Sequence, residues 1–292
     1  MNLLIYNEYP GKSRKAGKDV FDFCIFRTNT LSYFLLVRLS RRPNAGRRTD
    51  NKGGVLVQNA RHIVVLTGSG ISAESGIPTF RGKDGLWRQY RAEQLATPAA
   101  FDRDPRLVWE WYDWRRGIIG AKQPNPGHNV LAGWEKRRAS FSIITQNIDG
   151  FHQKAGSENV IELHGNIWKV RCTEEGTVFD NNEIPIGNLP PHCPDCGALL
   201  RPHVVWFGES LEMGVLSDAF RLSGECDLMF VIGTSALVQP AASLPLAARE
   251  AGSVLVEINP DTTPLSPAVD FSFRGASGEI LPRIETALKV FG

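Results

Sequence analysis

Residues 61–82 read RHIVVLTGSGISAESGIPTFRG, a short apolar run that stops at closely spaced glycines. An apolar run that ends in this way is typical of a buried parallel strand. Gly68, Gly70 and Ala73 satisfy the pattern G-x-G-x-x-A, in which glycines let the backbone approach a pyrophosphate and free N–H groups at the next helix start meet its charge. The stretch therefore predicts a dinucleotide site, with a purely structural strand-to-helix turn as the alternative.

The chain after this turn departs from the pattern of a nicotinamide dehydrogenase, in which a long helix follows the glycines. Gly76 and Pro78 interrupt the helical pattern. Since proline lacks an amide hydrogen and clashes with the preceding turn, a helix that begins near Ser72 can last little more than one turn. Residues 77–90, IPTFRGKDGLWRQY, then read as a mobile loop over the bound nucleotide. A loop in that place shields a reactive intermediate from water, as an enzyme that breaks the cofactor requires.

Further apolar runs alternate with helical patterns along the rest of the chain. The runs are 141–145, 159–163, 227–233 and 253–259, and the helical patterns are 104–122, 126–138 and 240–251. Asn125 before Pro126 predicts the start of the second of these helices, because asparagine caps helices and proline fits their first turn. The alternation predicts an α/β fold with a doubly wound parallel, Rossmann-like sheet. Residues 166–203, rich in Pro, Asn, Gly and Cys, break the alternation and predict a small inserted module.

Composition describes an ordinary soluble globular protein of 292 residues, with 42% hydrophobic and 22% charged residues. The net charge of +2 hides an asymmetry, since residues 1–50 hold ten Lys and Arg against four acids and the remainder holds 23 against 27. We therefore expect no nucleic-acid partner for the globular part. The longest apolar run of the basic leader, Leu31–Val37, is too short to span a bilayer, so we expect no membrane partner either.

Residues 1–56 show no clear element pattern and are interpreted as an N-terminal extension outside the fold. The extension is either disordered or the product of a start codon placed too far upstream, and it offers a poor secretory cleavage site. The five cysteines are an odd number, which argues against a disulfide framework and for a reducing compartment. We predict a cytoplasmic protein, with the mitochondrion as the alternative if the extension is a transit peptide.

Several motifs follow the glycine-rich turn. They are TQNIDGFHQKAG (145–156), ELHG (162–165), RPHVVWFGE (201–209), GTS (233–235) and EIN (257–259). Together with the turn and a cysteine-bearing insert, they resemble in the same order the motifs of the sirtuins, which are NAD-dependent protein lysine deacylases. The resemblance covers residues 57–292, interpreted as the deacylase domain. One departure is Ser69, where the family usually has alanine.

The resemblance implies roles for residues in these motifs. His164 would be the general base that takes a proton from a ribose hydroxyl, since an imidazole titrates near neutrality. Asn147 and Asp149, with Gln146, would orient the nicotinamide ribose and a bound water. The alternatives are a structural histidine and a capped turn. The residues that the resemblance assigns to NAD are Gly68, Ser69, Gly70, Ile71, Ser72, Ala73, Phe80, Arg81, Trp87, Gln146, Asn147, Ile148, Asp149, Gly233, Thr234, Ser235, Asn259 and Ala276.

Within the sirtuins, a tyrosine and an arginine separated by two residues mark a branch, class III, that prefers succinyl, malonyl or glutaryl lysine. Tyr112 and Arg115 in WEWYDWRRG (109–117) match that pair, and they share one face if the stretch is helical. Ala96 matches the small residue that widens the acyl pocket in this branch. The alternative is an amphipathic helix whose aromatic side chains face the core and whose arginines are solvated.

The resemblance also implies a structural zinc site in the insert, where the family commonly carries two Cys-x-x-Cys pairs. Cys193 and Cys196 form the second pair, but Glu175 stands where the partner of Cys172 is expected. Zinc accepts carboxylate oxygen, so these four residues are the expected ligands, with the neighbouring His192 as a less favoured substitute for the glutamate. The alternative is an insert without metal, held by its own packing.

Two alternatives to a deacylase use the same nucleotide. A mono-ADP-ribosyltransferase would cleave NAD and pass the ribose to a protein side chain, and a sensing module would bind NAD or ADP-ribose without turnover. A binding module needs no general base, so His164 and Asn147 favour an enzyme whose partners are acyl-lysine proteins.

Overall fold

The computed structural model describes residues 36–37, 54–55, 57, 60–79 and 95–291. Most of the predicted N-terminal extension lies outside the described residues, as do the predicted nucleotide residues Phe80, Arg81 and Trp87. The extension's role and the cytoplasmic location therefore stay predictions. The chain divides into two compact units, residues 1–60 with 287–292 and residues 61–286. In the first, strands β1 (Leu36–Val37) and β2 (Gly54–Val55) pair antiparallel.

The second unit, residues 61–286, contains two sheets. Its strands are β3 (Ile63–Thr67), β4 (Phe141–Thr145), β5 (Val160–Glu162), β6 (Gly165–Cys172), β7 (Val178–Asp180), β8 (Leu200–Val204), β9 (Leu228–Ile232), β10 (Val254–Ile258) and β11 (Phe271–Phe273). The larger sheet is six-stranded and parallel, in the order β11-β10-β9-β3-β4-β5. The smaller sheet is three-stranded and antiparallel, in the order β7-β6-β8.

The order of the larger sheet confirms the Rossmann-like fold. From β3 the chain builds outward through β4 and β5, then crosses to the other side of β3 and builds outward through β9, β10 and β11. Every residue of the two central strands β3 and β9 is buried, as is usual for parallel strands covered on both faces. Ligands of such sheets bind beyond the carboxyl ends of the strands where the order reverses, which here is between β3 and β9.

Helices form in all three stretches where the sequence predicts them, and other helices form in stretches for which no helix was predicted. They are α1 (Gly70–Ala73), α2 (Pro98–Arg103), α3 (Pro105–Gly120), α4 (Pro126–Arg137), α5 (Phe151–Lys154), α6 (Met213–Glu225), α7 (Leu244–Glu250) and α8 (Ser277–Phe291). The predicted helix at 240–251 divides into a 3₁₀ turn, Ala241–Ser243, followed by α7. None of the helices in this part of the chain combines the length and apolarity that crossing a bilayer requires.

Two predicted helix starts can be compared with the structure. Asn125 caps α4 as expected, because its side chain accepts from Gly127 N–H and the His128 ring accepts from the Asn125 N–H. The helix after the glycine-rich turn is a single turn, as the proline predicted, but it begins at Gly70 and not near Ser72. The earlier start arises because Gly70 N–H bonds to Gly233 O, which places the glycine directly at the carboxyl end of β9.

The smaller sheet packs against α3 through buried side chains of that helix. Trp109 Nε1 donates to Leu200 O at 2.8 Å, and Arg116 Nε donates to Ile167 O at 2.8 Å. The indole and the guanidinium therefore each donate to a backbone carbonyl of the smaller sheet, one in β8 and one in β6. These contacts hold α3 against the smaller sheet, with the buried side chains of its middle turns facing inward.

Candidate active site

Three glycines, Gly68, Gly70 and Gly233, bring the loops that follow β3 and β9 into direct backbone contact. A Cβ on Gly70 would lie 2.7 Å from Gly233 Cα, and a Cβ on Gly68 would lie 2.8 Å from Gly233 O. Gly233 adopts φ +60, a left-handed conformation that glycine tolerates best. The close approach places the two loops that follow β3 and β9 side by side at the point where the strand order reverses.

Asn147, Ser72 and Asp149 form one hydrogen-bonded group beside this turn. Asn147 Nδ2 donates to Gly68 O at 3.2 Å and to Ser72 Oγ at 3.3 Å, and Ser72 Oγ donates to an Asp149 carboxylate oxygen at 2.7 Å. Burial raises the pKa of Asp149, while the N–H of Phe151 and the Ser72 hydroxyl oppose that rise. The chain after β4 is thereby fixed to the glycine-rich turn after β3.

Gln146, Thr234 and Asn259 link the loops that follow β4, β9 and β10. Gln146 Nε2 donates to Thr234 Oγ1 at 3.0 Å, and Asn259 Nδ2 donates to Thr234 O at 2.8 Å. The predicted residue Ser235 follows directly in the loop after β9, where it is half-buried. Four neighbouring strands therefore present their predicted polar residues at one edge of the sheet.

The remaining predicted nucleotide residues lie around the same edge. Ser69 precedes α1 and Ala73 ends it, with Ile71 buried between them. The segment that starts with Ala276 is held next to α1, because Ser277 Oγ and Gly278 N donate to the Glu74 carboxylate. Ile148 lies between Asn147 and Asp149, and its carbonyl accepts from Ile167 N–H at 2.9 Å.

His164 lies in the two-residue link between β5 and β6, at the carboxyl end of β5, which corresponds to the predicted strand 159–163. Its Nδ1 is 2.9 Å from Gln146 O, a carbonyl that can only accept. Nδ1 must therefore carry the hydrogen in this contact, which leaves Nε2 as the basic nitrogen of the neutral ring. Burial lowers the pKa of His164, so the neutral imidazole is the stable form at neutral pH.

Residues 205–209 form a loop, here called the 205–209 loop, that connects three parts of the site. Val205 N–H donates to His164 O at 2.9 Å, and Phe207 N–H donates to Ala96 O at 2.9 Å. Between them, Trp206 Nε1 donates to the Tyr112 hydroxyl at 2.9 Å. Three consecutive residues thus hold the histidine, the small residue and the tyrosine that the sequence assigned to catalysis and to the acyl pocket.

Tyr112 and Arg115 share the inner face of α3, and both are buried, with 2% and 6% of their surface exposed. The Arg115 guanidinium lies 5.0 Å from the centroid of the Trp111 ring. Burial lowers the pKa of Arg115, and the nearby Tyr112 and Asp149 oppose that shift. The alternative of a solvated arginine is wrong for this residue. Arg115 is instead a buried positive charge that interacts electrostatically with Asp149, one of the predicted catalytic residues.

Known proteins resemble this chain over about three quarters of its length. The model of the Sir2 family matches residues 68–240, which cover more than half of the chain. An NAD-dependent protein deacylase of Aquifex aeolicus is 54% identical over 228 residues, covering 78% of this chain and 95% of that protein. An enzyme of the same name from Pyrococcus furiosus is 52% identical over 226 residues, covering 76% and 90%. This chain is a sirtuin.

Solved structures agree with the family. A crystal structure of a Sir2 homologue in complex with NAD matches with a TM-score of 0.76 and 48% identity, covering 81% of this sirtuin and 93% of that chain. A Sir2 mutant solved with a deacetylated peptide and an acetyl ADP-ribose matches with a TM-score of 0.71 and 35% identity, covering 79% and 95%. The predicted family is thereby confirmed.

The predicted metal ligands of this sirtuin come together in the insert. The candidate ligand atoms of Cys172, Glu175, Cys193 and Cys196 all lie within 4.8 Å of one another, and the sulfurs of Cys172 and Cys196 are 3.5 Å apart. In a tetrahedral zinc site with Zn–S bonds of about 2.3 Å, the sulfurs are separated by about 3.8 Å. The donor set therefore fits a zinc ion in size and in chemistry.

Two similar turns explain why Glu175 occupies a ligand position. Cys172 and Cys193 each begin a turn whose fifth residue is a glycine with positive φ, +72 at Gly176 and +78 at Gly197. In each turn the glycine N–H donates to the carbonyl of that cysteine, at 3.1 and 3.0 Å. The fourth residue is Glu175 in the first turn and Cys196 in the second. The carboxylate therefore stands where the second turn places a thiol.

Sequence reasoning missed a buried chain of side chains behind the sheet edge. Thr67 Oγ1 donates to Thr145 Oγ1 at 2.8 Å and lies 2.9 Å from His152 Nε2. Thr145 Oγ1 also accepts from Asn147 N–H at 3.1 Å, which ties this chain to the predicted catalytic loop. Thr145 and His152 stand within the motif TQNIDGFHQKAG, but only the register of β3 and β4 shows that Thr67 and Thr145 are neighbours.

Proposed function

We propose that this sirtuin removes acyl groups from protein lysine with NAD as co-substrate, and that it prefers acyl chains ending in a carboxylate. One water is consumed, and the products are free lysine, nicotinamide and O-acyl-ADP-ribose. The single observation that carries the acyl preference is the buried pair of Tyr112 and Arg115 on one face of α3. Succinyl, malonyl and glutaryl groups place their distal carboxylate at the end of the chain, where this pair would meet it.

The reaction begins when the acyl carbonyl oxygen of the substrate attacks the anomeric carbon of the nicotinamide ribose and nicotinamide leaves. His164 then takes the proton of the ribose 2′-hydroxyl, a role that suits its neutral ring and basic Nε2. Asn147 and Asp149 orient the ribose, since both are buried and fixed by Ser72. A general base in this position contributes about 10² to 10⁴ in rate.

The acyl preference follows from the environment of Arg115. Its burial lowers the pKa of the guanidinium, because the charge has lost much of its hydration. A substrate carboxylate restores a favourable environment by forming a charge-assisted pair, which contributes about 1.5–3 kcal/mol. This free energy corresponds to roughly one to two decades of preference over acetyl lysine. We therefore expect acetyl lysine to remain a weaker substrate.

A panel of acetyl, succinyl, malonyl and glutaryl peptides with NAD tests the proposal. Nicotinamide release reports cleavage, and product mass reports where the ribose goes. The expected result is an ADP-ribose ester with the acyl group removed from the peptide, and faster turnover of the three acidic acyl groups. A peptide that gains ADP-ribose would identify the mono-ADP-ribosyltransferase instead. Nucleotide binding without nicotinamide release on any peptide would identify the binding module.

We also propose that Cys172, Glu175, Cys193 and Cys196 hold a structural zinc ion. The fit of their four donor atoms supports this site, and zinc so bound would cross-link the two turns of the insert without taking part in the reaction. Zinc measured on protein purified without added metal is expected near one equivalent. A content below about a tenth of an equivalent would favour the alternative of an insert held by packing alone.

A further inference from the structure

The hydrogen bond between Trp206 and Tyr112 fixes the direction of a hydroxyl hydrogen. An indole Nε1–H can only donate, so the Tyr112 oxygen must accept at 2.9 Å. The phenol has a single hydrogen, and Trp206 offers it no acceptor. The Tyr112 O–H therefore points away from the Trp206 indole nitrogen. This direction is set by the chemistry of the two groups and does not depend on a choice of tautomer.

The Tyr112 hydroxyl keeps its hydrogen at any working pH. Burial raises the pKa of Tyr112 to about 12, although the nearby Arg115 opposes that rise. The phenol is consequently neutral and available as a donor. A donor next to a buried guanidinium is complementary to one carboxylate, which has two oxygens that both accept.

Trp206 is itself held in place by contacts with two other side chains. The Arg201 guanidinium lies 3.5 Å from the centroid of the Trp206 ring, and the Phe101 ring lies 5.3 Å from it. Arg201 is fixed in turn by two hydrogen bonds to the Glu209 carboxylate, at 2.6 and 2.9 Å. The same carboxylate accepts from Trp206 N–H at 2.8 Å. The indole cannot turn away from Tyr112 without breaking this arrangement.

We propose that Trp206 is a positioning residue for acyl selectivity, which orients the Tyr112 hydroxyl so that its hydrogen is donated to the distal carboxylate of the acyl chain. The inference rests on the proposed preference for acidic acyl groups and adds a residue to it. Trp206 acts through Tyr112 and does not itself need to touch the carboxylate. Without the indole N–H the hydroxyl can rotate, and its hydrogen no longer has one preferred direction.

The test compares Trp206→Phe with Trp109→Phe, since each variant removes one buried indole N–H from the same region. Trp109 donates to Leu200 O and not to Tyr112. KM and kcat are measured for succinyl and acetyl peptides. For Trp206→Phe, the ratio of succinyl to acetyl KM should rise about threefold to tenfold, the range for loss of one neutral hydrogen bond. For Trp109→Phe the ratio should stay within about twofold of the wild type, a change too small to equal one such bond.

A double-mutant cycle separates positioning from general damage to the pocket. In a Tyr112→Phe background the hydroxyl is absent, so adding Trp206→Phe should leave the succinyl to acetyl ratio unchanged. If the two changes instead act additively, or if Trp206→Phe alone leaves the ratio at the wild-type value, the positioning role is wrong. Arg115→Met distinguishes this failure from failure of the proposed function. If the wild type shows no succinyl preference, the proposed preference is wrong. If Arg115→Met keeps the preference, its assignment to the Tyr112 and Arg115 pair is wrong.

Discussion

The carboxyl edge of the six-stranded sheet and the proposed acyl pocket on α3 hold their polar groups in different ways. At the edge, Asn147, Ser72 and Asp149 bind one another and the backbone of the glycine-rich turn. In the pocket, Arg115 lies over the Trp111 ring and is buried beside Tyr112. The edge is held in one geometry by these bonds, while we propose that the charge of Arg115 in the pocket serves to bind a substrate group. We infer that the edge sets the reaction and the pocket sets which acyl group enters.

The largest effect should come from the edge. His164→Ala removes the proposed base, so formation of deacylated peptide should fall by about 10² to 10⁴ for every acyl group. Steady-state assays on succinyl and acetyl peptides measure the two losses, which should be equal. His203→Ala is the matched control, because this half-buried histidine lies on β8 in the insert. Native rates for a folded His164→Ala protein would contradict the assignment.

The next effect should come from the pocket. Arg115→Met keeps an unbranched apolar side chain like the stem of arginine but removes the charge, so the ratio of desuccinylation to deacetylation should fall by at least about tenfold. The ratio of kcat/KM values on the two peptides measures this change. Equal losses on both peptides would show that Arg115 supports the fold or the reaction in general, and the comparison between edge and pocket would fail.

The adjacent arginine sharpens the comparison with a smaller effect. Arg116 is fully buried, donates to Ile167 O and to Asn181 Oδ1, and lies on the side of α3 that faces the insert. Arg116→Met should lower Tm by about 2–10 °C, because buried acceptors lose their donor. Acyl selectivity should stay within about twofold of the wild type, which is less than the change that loss of one hydrogen bond to the substrate would cause. Differential scanning calorimetry and the two-peptide assay measure both, and a change in selectivity like that of Arg115→Met would contradict the separate roles.

The smallest effect concerns pH. Burial lowers the pKa of His164 below its ordinary value of 6.5, and the base is active when neutral. Activity should therefore persist as the pH falls through 6.5 and should decline only below it. A pH profile of kcat/KM for the succinyl peptide measures the midpoint of this acid limb. A midpoint above 6.5 would mean that a nearby negative charge, and not burial, controls the imidazole.

Local chemistry made much of this site predictable from sequence. Glycine, proline and asparagine fix the backbone within a few residues, so the turn after β3, the one-turn helix and the cap of α4 follow from Gly68, Pro78 and Asn125. The pairing of Tyr112 with Arg115 also depends only on helical spacing. These features need no knowledge of distant parts of the chain.

The unpredicted elements α6, α8 and β11 lack such local signals. α6 follows Glu212, whose side chain makes no capping hydrogen bond, and α8 contains Pro282 in its interior. β11 alternates between half-buried and exposed residues and so does not form an apolar run. The contact between Trp206 and Tyr112 joins residues 94 positions apart, and no residue near either one indicates the other. Such contacts become visible only when the sheets and α3 are in place.

The backbone contact between Gly70 and Gly233 has a consequence for how such proteins can diverge. A Cβ on either residue would overlap main-chain atoms of the other loop. Substitution of one glycine therefore cannot be compensated by substitution of the other. The contact nevertheless involves no side chain that two relatives would need to match. Chimeras that join the N-terminal strands of this protein to the C-terminal strands of a homologue with glycine at the position of Gly233 should therefore keep this junction.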